Sequence, residues 1–435
     1  MQEIIPFEPL KGQEAPCRVR VVPENGKQKA YLQTTGYLDP ADLCIGRAVE
    51  ELPRILSIRS PAHHLAAARL LDRLFGVEPP GIAENMRDAL GQSLVLCHHL
   101  RKLHLLLLDP KDPFPDHRAS AKPAGRRAAV AHRRAETVMH TLGLAQEAAA
   151  ILGGRSDHPL TAIAGGVSRF LKDGYYQRLT EIADACLDLV LKIDAFFRED
   201  LLNDGGPLHP LSEVEIDPIP TATVVEGKIV LRDRSGAIVD DFPPEKTPEK
   251  ISVRGEPWSY LPFAALTNGT AGPETGGPVP GIFLVGPLAR MAGGDPLPTS
   301  EAEAARQRMD EELGSSGKWT PAAACRALLV DLIGTAERMT DLYKKENFVG
   351  PAIRTVPEKM GAEAWAALEG PAGLIVLGAT VDGKGIVESI QVVDPVQINN
   401  GVRCRIAEAA VAEGLSLNRS HTDTKRRLEN SLLPF

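Results

Sequence analysis

The 435-residue chain has the composition of an ordinary globular protein, with 43% apolar and 24% charged residues. Its formal net charge of -8 argues against nucleic-acid binding, since a phosphate backbone calls for a basic protein face. The first twelve residues contain no apolar segment of the kind found in secretory signals. The longest apolar runs are far shorter than the roughly 20 residues that a bilayer requires, so we expect no transmembrane segment.

The six cysteines are scattered along the chain and never form a C-x-x-C pair; they lie at positions 17, 44, 97, 186, 325 and 404. This spacing argues against a zinc ribbon and against an iron–sulfur cluster bound by this chain. It predicts reduced thiols in a cytoplasmic protein.

The first half of the chain predicts a short β region followed by long helices. Residues 16–36 alternate in polarity around an Asn-Gly turn, which is typical of two paired strands. Ser60 can cap a helix that begins at Pro61 and ends before Gly76. Further helices are predicted over 83–108, 125–152 and 174–203 from apolar residues three and four positions apart.

The second half alternates between β-rich and helical segments. Short strands are predicted at 221–225, 228–232 and 237–239, followed by helices at 300–313 and 320–345. A hairpin is predicted over 373–394, with strands at 374–381 and 387–393. Helices near 402–413 and 421–431 close the chain.

Several strings along the chain resemble those of NiFe-hydrogenase large subunits, in family order. They are Arg54-Ile-Leu-Ser-Ile-Arg59 with His63, Gly153-Gly-Arg-Ser-Asp-His-Pro159, Glu256-Pro-Trp-Ser-Tyr-Leu-Pro-Phe263, Val285-Gly-Pro-Leu-Ala-Arg290 and Glu369-Gly-Pro-Ala-Gly373. Each string alone is weak, but their shared order is specific. The resemblance is to the cytoplasmic, F420-non-reducing branch that serves soluble carriers or heterodisulfide-reductase-type partners.

The resemblance implies an α+β fold, with a central bundle of long helices and peripheral β segments. We expect one domain over 1–435. Within it we expect an N-terminal β region (1–52), a helical bundle (53–203), a β-rich insertion (204–298), and a final segment of helices and a β-hairpin (299–435).

The departures from the family pattern concern the metal site. In the family, four cysteine thiolates hold nickel, and two of them bridge to iron. The first pair falls on Leu56 and Arg59, neither of which can ligate. The second pair would follow Phe435, where this sequence stops. We therefore expect no cofactor bound by this chain, no metal ligands and no catalytic residues.

The resemblance also places other residues around the family's metal site. Glu14 matches the acid that relays protons beside nickel, although a surface glutamate is an open alternative. Ala372 replaces an arginine that overhangs the metal, and His63 follows the first motif. The predicted vestigial pocket thus comprises Glu14, Leu56, Arg59, His63 and Ala372.

The histidines offer no convincing metal site by spacing. Adjacent helical residues point about 100° apart, so His63 and His64 cannot chelate one ion together. His99 and His104 are five positions apart rather than the four typical of helical zinc motifs, which favours a core or interface role for them and for His98.

Two functions follow from these expectations. The first is a cofactor-less docking subunit of a multisubunit electron-transfer complex, without hydrogenase activity. Its partners would be a small-subunit-like [4Fe–4S] protein and further iron–sulfur or flavin subunits. The alternative is a redox subunit whose pocket binds a small anion, polysulfide or quinone-like substrate near Arg59 and Glu14. In the first case Arg59 is simply a salt-bridge partner that fills the pocket. A hydrogenase with unusual ligands is a third alternative.

Overall fold

The computed structural model describes residues 5–7, 10, 16–24, 27–107, 126–204, 206, 208–267, 280–294, 296–313 and 318–435. Helices are its main elements. They are α1 (Ala41–Cys44), α2 (Leu52–Leu56), α3 (Pro61–Phe75), α4 (Gly81–Leu107), α5 (Arg126–Gly153), α6 (Asp173–Phe196), α7 (Thr247–Lys250), α8 (Pro287–Met291), α9 (Ser300–Leu313), α10 (Pro321–Lys345), α11 (Pro395–Ser416) and α12 (His421–Leu432).

The strands form small antiparallel sheets around these helices. They are β1 (Ile5–Phe7), β2 (Cys17–Glu24), β3 (Lys27–Thr34), β4 (Ala162–Ile163), β5 (Gly166–Val167), β6 (Thr221–Val225), β7 (Lys228–Arg232), β8 (Ile238–Phe242), β9 (Ile251–Glu256), β10 (Ser259–Leu266), β11 (Glu363–Gly370), β12 (Gly373–Val381) and β13 (Val387–Val393).

The long helices pack into a central bundle, as predicted. Helix α4 packs against α5 and α10, and α6 packs against the same two helices. Their apolar faces meet in one large buried cluster that also takes in the short helices and the sheets. The predicted α+β architecture is therefore confirmed. We propose that the whole chain is one domain, since this cluster runs from Phe7 to Leu433.

Helix α3 is bounded by the signals that its sequence carries. The Ser60 hydroxyl accepts a hydrogen bond from the Ala62 backbone N–H, and Pro61 occupies the first helical position. Gly76 ends the helix in the left-handed conformation, with φ of 58°. The Ser60 cap fixes the point at which the Arg54–Arg59 string ends and α3 enters the bundle.

The predicted hairpin at 373–394 is part of a larger sheet. β12 pairs with β13 as expected, but its other edge pairs with β11, which the sequence analysis missed. Helix α3 packs on β11, so the sheet lies directly against the bundle. β9 and β10 were missed as well.

Two of the family-like strings interlock through glycines. Gly286 and Gly373 have φ of 101° and 123°, a region that disfavours any side chain. A Cβ on Gly286 would lie 2.6 Å from the Ala372 carbonyl oxygen, and one on Gly373 would lie 2.5 Å from the Gly286 nitrogen. This close approach sets the β11–β12 turn beside the start of α8.

Candidate functional site

A cavity of about 160 Å³ lies where the start of α3, the middle of α4, the β11–β12 turn and the start of α11 meet. Its wall is mostly apolar, with two cations, two histidines, a thiol and one carboxylate. The lining residues are Arg59, Ser60, Pro61, Ala62, His63, Leu94, Cys97, His98, Arg101, Pro371, Ala372, Ile375, Asp394, Pro395 and Val396. We call this space the central cavity.

An ion pair between Arg59 and Asp394 closes one side of the central cavity. Arg59 Nε donates to Asp394 Oδ2 at 2.9 Å, and the guanidinium stacks 4.9 Å above the Tyr37 ring. The Asp394 side chain is 1% exposed and that of Arg59 is 19% exposed. Burial alone would raise the pKa of Asp394, but His63 and Arg59 hold it well below its usual range. The carboxylate is therefore ionised at neutral pH.

Asp394 also caps α11. Its Oδ1 accepts hydrogen bonds from the backbone N–H groups of Val396 and Gln397, both at 3.1 Å. The Gln397 side chain accepts from the Asp394 N–H, which completes a capping box. The start of α11 and the ion pair with Arg59 therefore depend on the same Asp394 carboxylate.

The two adjacent histidines of α3 point to different places, as predicted from helix geometry. His63 is 2% exposed, and its Nε2 lies 3.7 Å from Asp394 Oδ2, beyond hydrogen-bond distance. Neither ring nitrogen of His63 has a hydrogen-bond partner within the described part of the chain. His64 Nε2 instead accepts from the Ala162 N–H at 2.9 Å, outside the cavity.

The predicted pocket residues come together only in part. Arg59, His63 and Ala372 line the central cavity. Leu56 is fully buried but does not line it. Glu14 lies outside the described residues.

Four polar residues of this wall were not predicted to line the pocket. Asp394 was placed at the end of the predicted hairpin, neither Cys97 nor Arg101 was singled out, and His98 was given a core or interface role together with His99. Helical spacing carried a usable signal, because positions 98 and 101 lie on one face of α4.

A buried polar network runs from His98 into the bundle. His98 Nδ1 lies 3.1 Å from His99 Nδ1, and His99 Nε2 lies 2.6 Å from Asp331 Oδ2. Arg290 Nη2 donates to the same Asp331 oxygen at 2.6 Å, and its Nη1 donates to Glu369. Arg290 and Glu369 come from two of the family-like strings, so the network ties those strings to α4 and α10.

The donor set of the cavity does not fit a four-thiolate centre. Cys97 is the only thiol among the described lining residues, and burial raises its pKa to about 12, so it stays protonated. In the described part of the chain no three histidine, cysteine, aspartate or glutamate side chains converge as metal ligands would.

Comparison with curated proteins finds relatives among hydrogenases, although no family model matches the chain. One relative is the A component of the F420-non-reducing hydrogenase vhc of Methanococcus voltae, which is 25% identical over 375 residues; the match covers 82% of this chain and 76% of that protein. Another is the A component of the F420-non-reducing hydrogenase vhu of Methanocaldococcus jannaschii, which is 26% identical over 409 residues, covering 88% and 92%.

Solved structures show the same fold. An NAD+-reducing [NiFe]-hydrogenase in the H2-reduced state superposes with a TM-score of 0.81 at 24% identity, covering 100% of this chain and 99% of that one. The Ni-Fe-Se hydrogenase of Desulfovibrio vulgaris Hildenborough superposes with a TM-score of 0.69 at 16% identity, covering 99% of both chains.

These comparisons correct one expectation. We predicted that this chain binds no cofactor, but the proteins it resembles are hydrogenases, and the matched structures are nickel–iron enzymes by name. That prediction is wrong on these findings and is withdrawn.

Among the described helices, none combines the length and the apolar character needed to cross a bilayer. The order of the strings, the relatives and the shared fold agree with one another. In sequence the chain is similar to the A components of F420-non-reducing hydrogenases, and in fold it is similar to nickel–iron hydrogenase structures.

Proposed function

We propose that this chain is a docking subunit of a multisubunit electron-transfer complex and that it does not itself oxidise or produce hydrogen. The observation that carries the proposal is the Arg59–Asp394 ion pair in the wall of the central cavity. Arg59 stands where the family resemblance places a metal-binding cysteine. The Asp394 carboxylate of this pair is buried and also caps α11, and the Arg59 guanidinium is chemically unlike a thiolate.

The charge of Arg59 opposes hydrogen chemistry at this position. A guanidinium stays protonated in proteins and cannot replace the thiolate that the family resemblance places at this position. Asp394 is already engaged by Arg59 and by two backbone N–H groups. Ala372 offers no group in place of the arginine that the family resemblance places over the metal.

Exposed apolar side chains in the segment that precedes Arg59 support the docking part of the proposal. Leu38, Leu43, Ile45 and Ile58 are 58%, 37%, 55% and 65% exposed. They lie within residues 38–58, where α1 packs against α2, immediately before Arg59. Clustered exposed apolar residues mark interaction surfaces. We call this segment the 38–58 surface.

The proposed partner is an iron–sulfur protein of the hydrogenase small-subunit type, with further iron–sulfur or flavin subunits beyond it. The relatives support an assembly, because each is named as one subunit of a larger enzyme, and that of Archaeoglobus profundus is named an iron-sulfur subunit. Association with heterodisulfide-reductase-type proteins and a cytoplasmic location belong to the same proposal.

Affinity capture of the tagged chain from its native cells tests the docking surface. We expect the unchanged chain to retain an iron–sulfur protein, identified by mass spectrometry and iron analysis. We expect Ile58→Glu to capture at least about tenfold less of this iron–sulfur protein, because a charge would have to be desolvated in the interface.

Val356→Glu is the matched control, since Val356 is 71% exposed. Val356 lies near the end of α3 that is far from Ile58, because the neighbouring Thr355 donates a hydrogen bond to the Glu78 carbonyl just after that helix. Helix α3 separates the two positions by roughly 20 Å at 1.5 Å per helical residue. Capture of a lone chain, or equal loss in both variants, would contradict docking through the 38–58 surface.

A second candidate function is binding of a small substrate in the central cavity. The cavity supports it, since Arg59 and His63 reach a space of about 160 Å³. Arg59→Leu in the assembled complex separates the two: a protein that only docks keeps the turnover of its complex, whereas a substrate site at Arg59 loses it.

A further inference from the structure

The Arg59 side chain connects the wall of the central cavity with the solvent. Its Nε donates to the Asp394 carboxylate at 2.9 Å, and its guanidinium lies 4.9 Å from the centre of the Tyr37 ring. We call the second contact the Tyr37–Arg59 stack. The Arg59 side chain is 19% exposed, whereas that of Asp394 is 1% exposed. The cation therefore keeps a side that water reaches, and its counter-ion does not.

Two exposed residues of the 38–58 surface adjoin this stack. Leu38 directly follows Tyr37 in the sequence, and Ile58 directly precedes Arg59. Neighbouring Cα atoms are about 3.8 Å apart, so both apolar residues are attached next to the stack. Leu38 is 58% exposed and Ile58 is 65% exposed. A protein surface that buries both residues therefore covers the stack as well.

Covering the stack removes the remaining water from the charge of Arg59. Taking a charge out of water is costly unless an opposite charge is held in contact with it. When such a counter-ion is present, the loss of water strengthens the attraction between the two charges, because the local dielectric constant falls. The contact of the cation with an aromatic ring also becomes stronger when it is desolvated.

Asp394 is a counter-ion that cannot move away. Its Oδ2 accepts from Arg59, and its Oδ1 accepts from the backbone N–H groups of Val396 and Gln397 at the start of α11. Burial would raise the pKa of Asp394, but His63 and Arg59 hold it well below its usual range. The negative charge is therefore present at neutral pH and fixed beneath the stack.

We infer that Asp394 is the buried counter-ion of the docking interface, which neutralises Arg59 so that the partner can cover the Tyr37–Arg59 stack. The inference rests on the proposed docking function and deepens it. A residue too buried for a partner to touch thereby contributes to partner binding. Because the charge of Arg59 is matched from inside the chain, we expect the partner to cover the stack with an apolar or aromatic side chain rather than an acidic one.

Two variants break the same ion pair with opposite consequences for the interface. Asp394→Asn keeps a capping oxygen for α11 but removes the carboxylate beneath the Arg59 charge. Arg59→Leu leaves the lone charge on Asp394, away from the partner, and gives the interface an apolar side chain. We expect Asp394→Asn to bind the captured iron–sulfur protein at least about tenfold more weakly than the unchanged chain. We expect Arg59→Leu to bind it within about threefold of the unchanged chain.

The double variant separates charge from fold stability. It has no charge at either position, so its binding should return to within about threefold of the unchanged chain, although it carries both substitutions. Each full-length variant is titrated with the iron–sulfur protein eluted from the unchanged chain after affinity capture, and circular dichroism checks that the variant is folded.

Chemical labelling of arginine tests the same contact without any variant. We expect the bound partner to slow the modification of Arg59 in the unchanged chain, read by mass spectrometry. The modification of Arg234, which is exposed in the β7–β8 turn, should keep its rate.

Four results would overturn the inference: undiminished binding by Asp394→Asn, equal weakening by Asp394→Asn and Arg59→Leu, no recovery in the double variant, or unchanged labelling of Arg59 in the complex. Ile58→Glu distinguishes these results from a failure of docking itself. If Ile58→Glu keeps the partner, docking through the 38–58 surface is wrong; if it loses the partner while any of the four results is found, only the role of Asp394 is wrong.

Discussion

At the scale of residues, one carboxylate organises the candidate site. Asp394 pairs with Arg59, lies near His63 and caps α11. Removing one group of a buried ion pair is destabilising, because the remaining charge is then buried without a partner. The Asp394 carboxylate is therefore stabilising only while its partners remain.

A double-mutant cycle on this pair tests that dependence. Arg59→Leu should lower the free energy of unfolding by about 3 kcal/mol, since it leaves the 1% exposed Asp394 carboxylate without its cation. Asp394→Asn keeps a capping oxygen and should cost about 1–2 kcal/mol. The double variant should cost clearly less than the sum, with a coupling of roughly 1–3 kcal/mol by denaturant unfolding.

The exposed pair Lys228–Asp241 gives the control cycle, as both side chains are more than half exposed. Its coupling should be close to zero because solvent screens it. Additive effects at Arg59 and Asp394 would mean that their contact does not stabilise the fold.

Sequence reasoning found part of this site and missed the rest for identifiable reasons. Arg59, His63 and Ala372 were found because they stand at family positions. Asp394 was missed because it precedes a proline after a strand, and only the fold brings it to Arg59, 335 positions away in sequence. His98 was given a core or interface role because only the fold brings the starts of α3 and α11 beside it to form the cavity.

At the scale of elements, the glycines of two family-like strings decide how close the β11–β12 turn can approach α8. Gly286 and Gly373 meet backbone to backbone, with no room for a Cβ on either. Arg290 and Glu369, from the same two strings, form an ion pair nearby. Both strings are therefore needed for packing whatever chemistry the cavity performs.

Alanine at either glycine should be strongly destabilising. Gly286→Ala combines a positive φ with a contact of 2.6 Å to backbone, and we expect a loss of roughly 2–4 kcal/mol in the free energy of unfolding. Gly294→Ala has a positive φ of 68° and open space around it, so its loss should be about 1 kcal/mol. Equal losses would show that the close approach is absent in solution.

The helices and strands were predicted best where apolar residues recurred with a clear helical repeat. Helices α3, α4, α5 and α10 were placed within two residues at each end. Strand β11 was missed because Ala364, Ala366 and Ala367 carry little β propensity, and pairing with β12 overrides it. The start of α11 was placed late, although Asp394 before Pro395 is a helix-start signal.

At the scale of the whole molecule, the bundle buries histidines in neutral form. His64 is 1% exposed, and burial lowers its pKa to about 4 from 6.5. His98 and His99 are likewise held below the usual value. The unfolded chain therefore binds more protons than the folded chain once the pH falls below about 6.5.

Stability should consequently fall on mild acidification, before the carboxylates titrate. For His64 alone the contribution is present above about pH 6.5, and about 2 kcal/mol of it is lost by about pH 5. Denaturant midpoints across this range measure the loss. His64→Gln should flatten the profile by about that amount, and the exposed His132→Ala should not. A profile that is flat down to about pH 5 would contradict buried neutral histidines.

Hydrogen oxidation by the complex captured on this chain is the most direct test of the account, assayed with a viologen acceptor alongside a known nickel–iron hydrogenase. We expect the chain to arrive with an iron–sulfur partner that accepts electrons from a chemical reductant, and we expect no hydrogen-dependent dye reduction. Hydrogen-dependent reduction that disappears when this chain is removed would contradict the proposal.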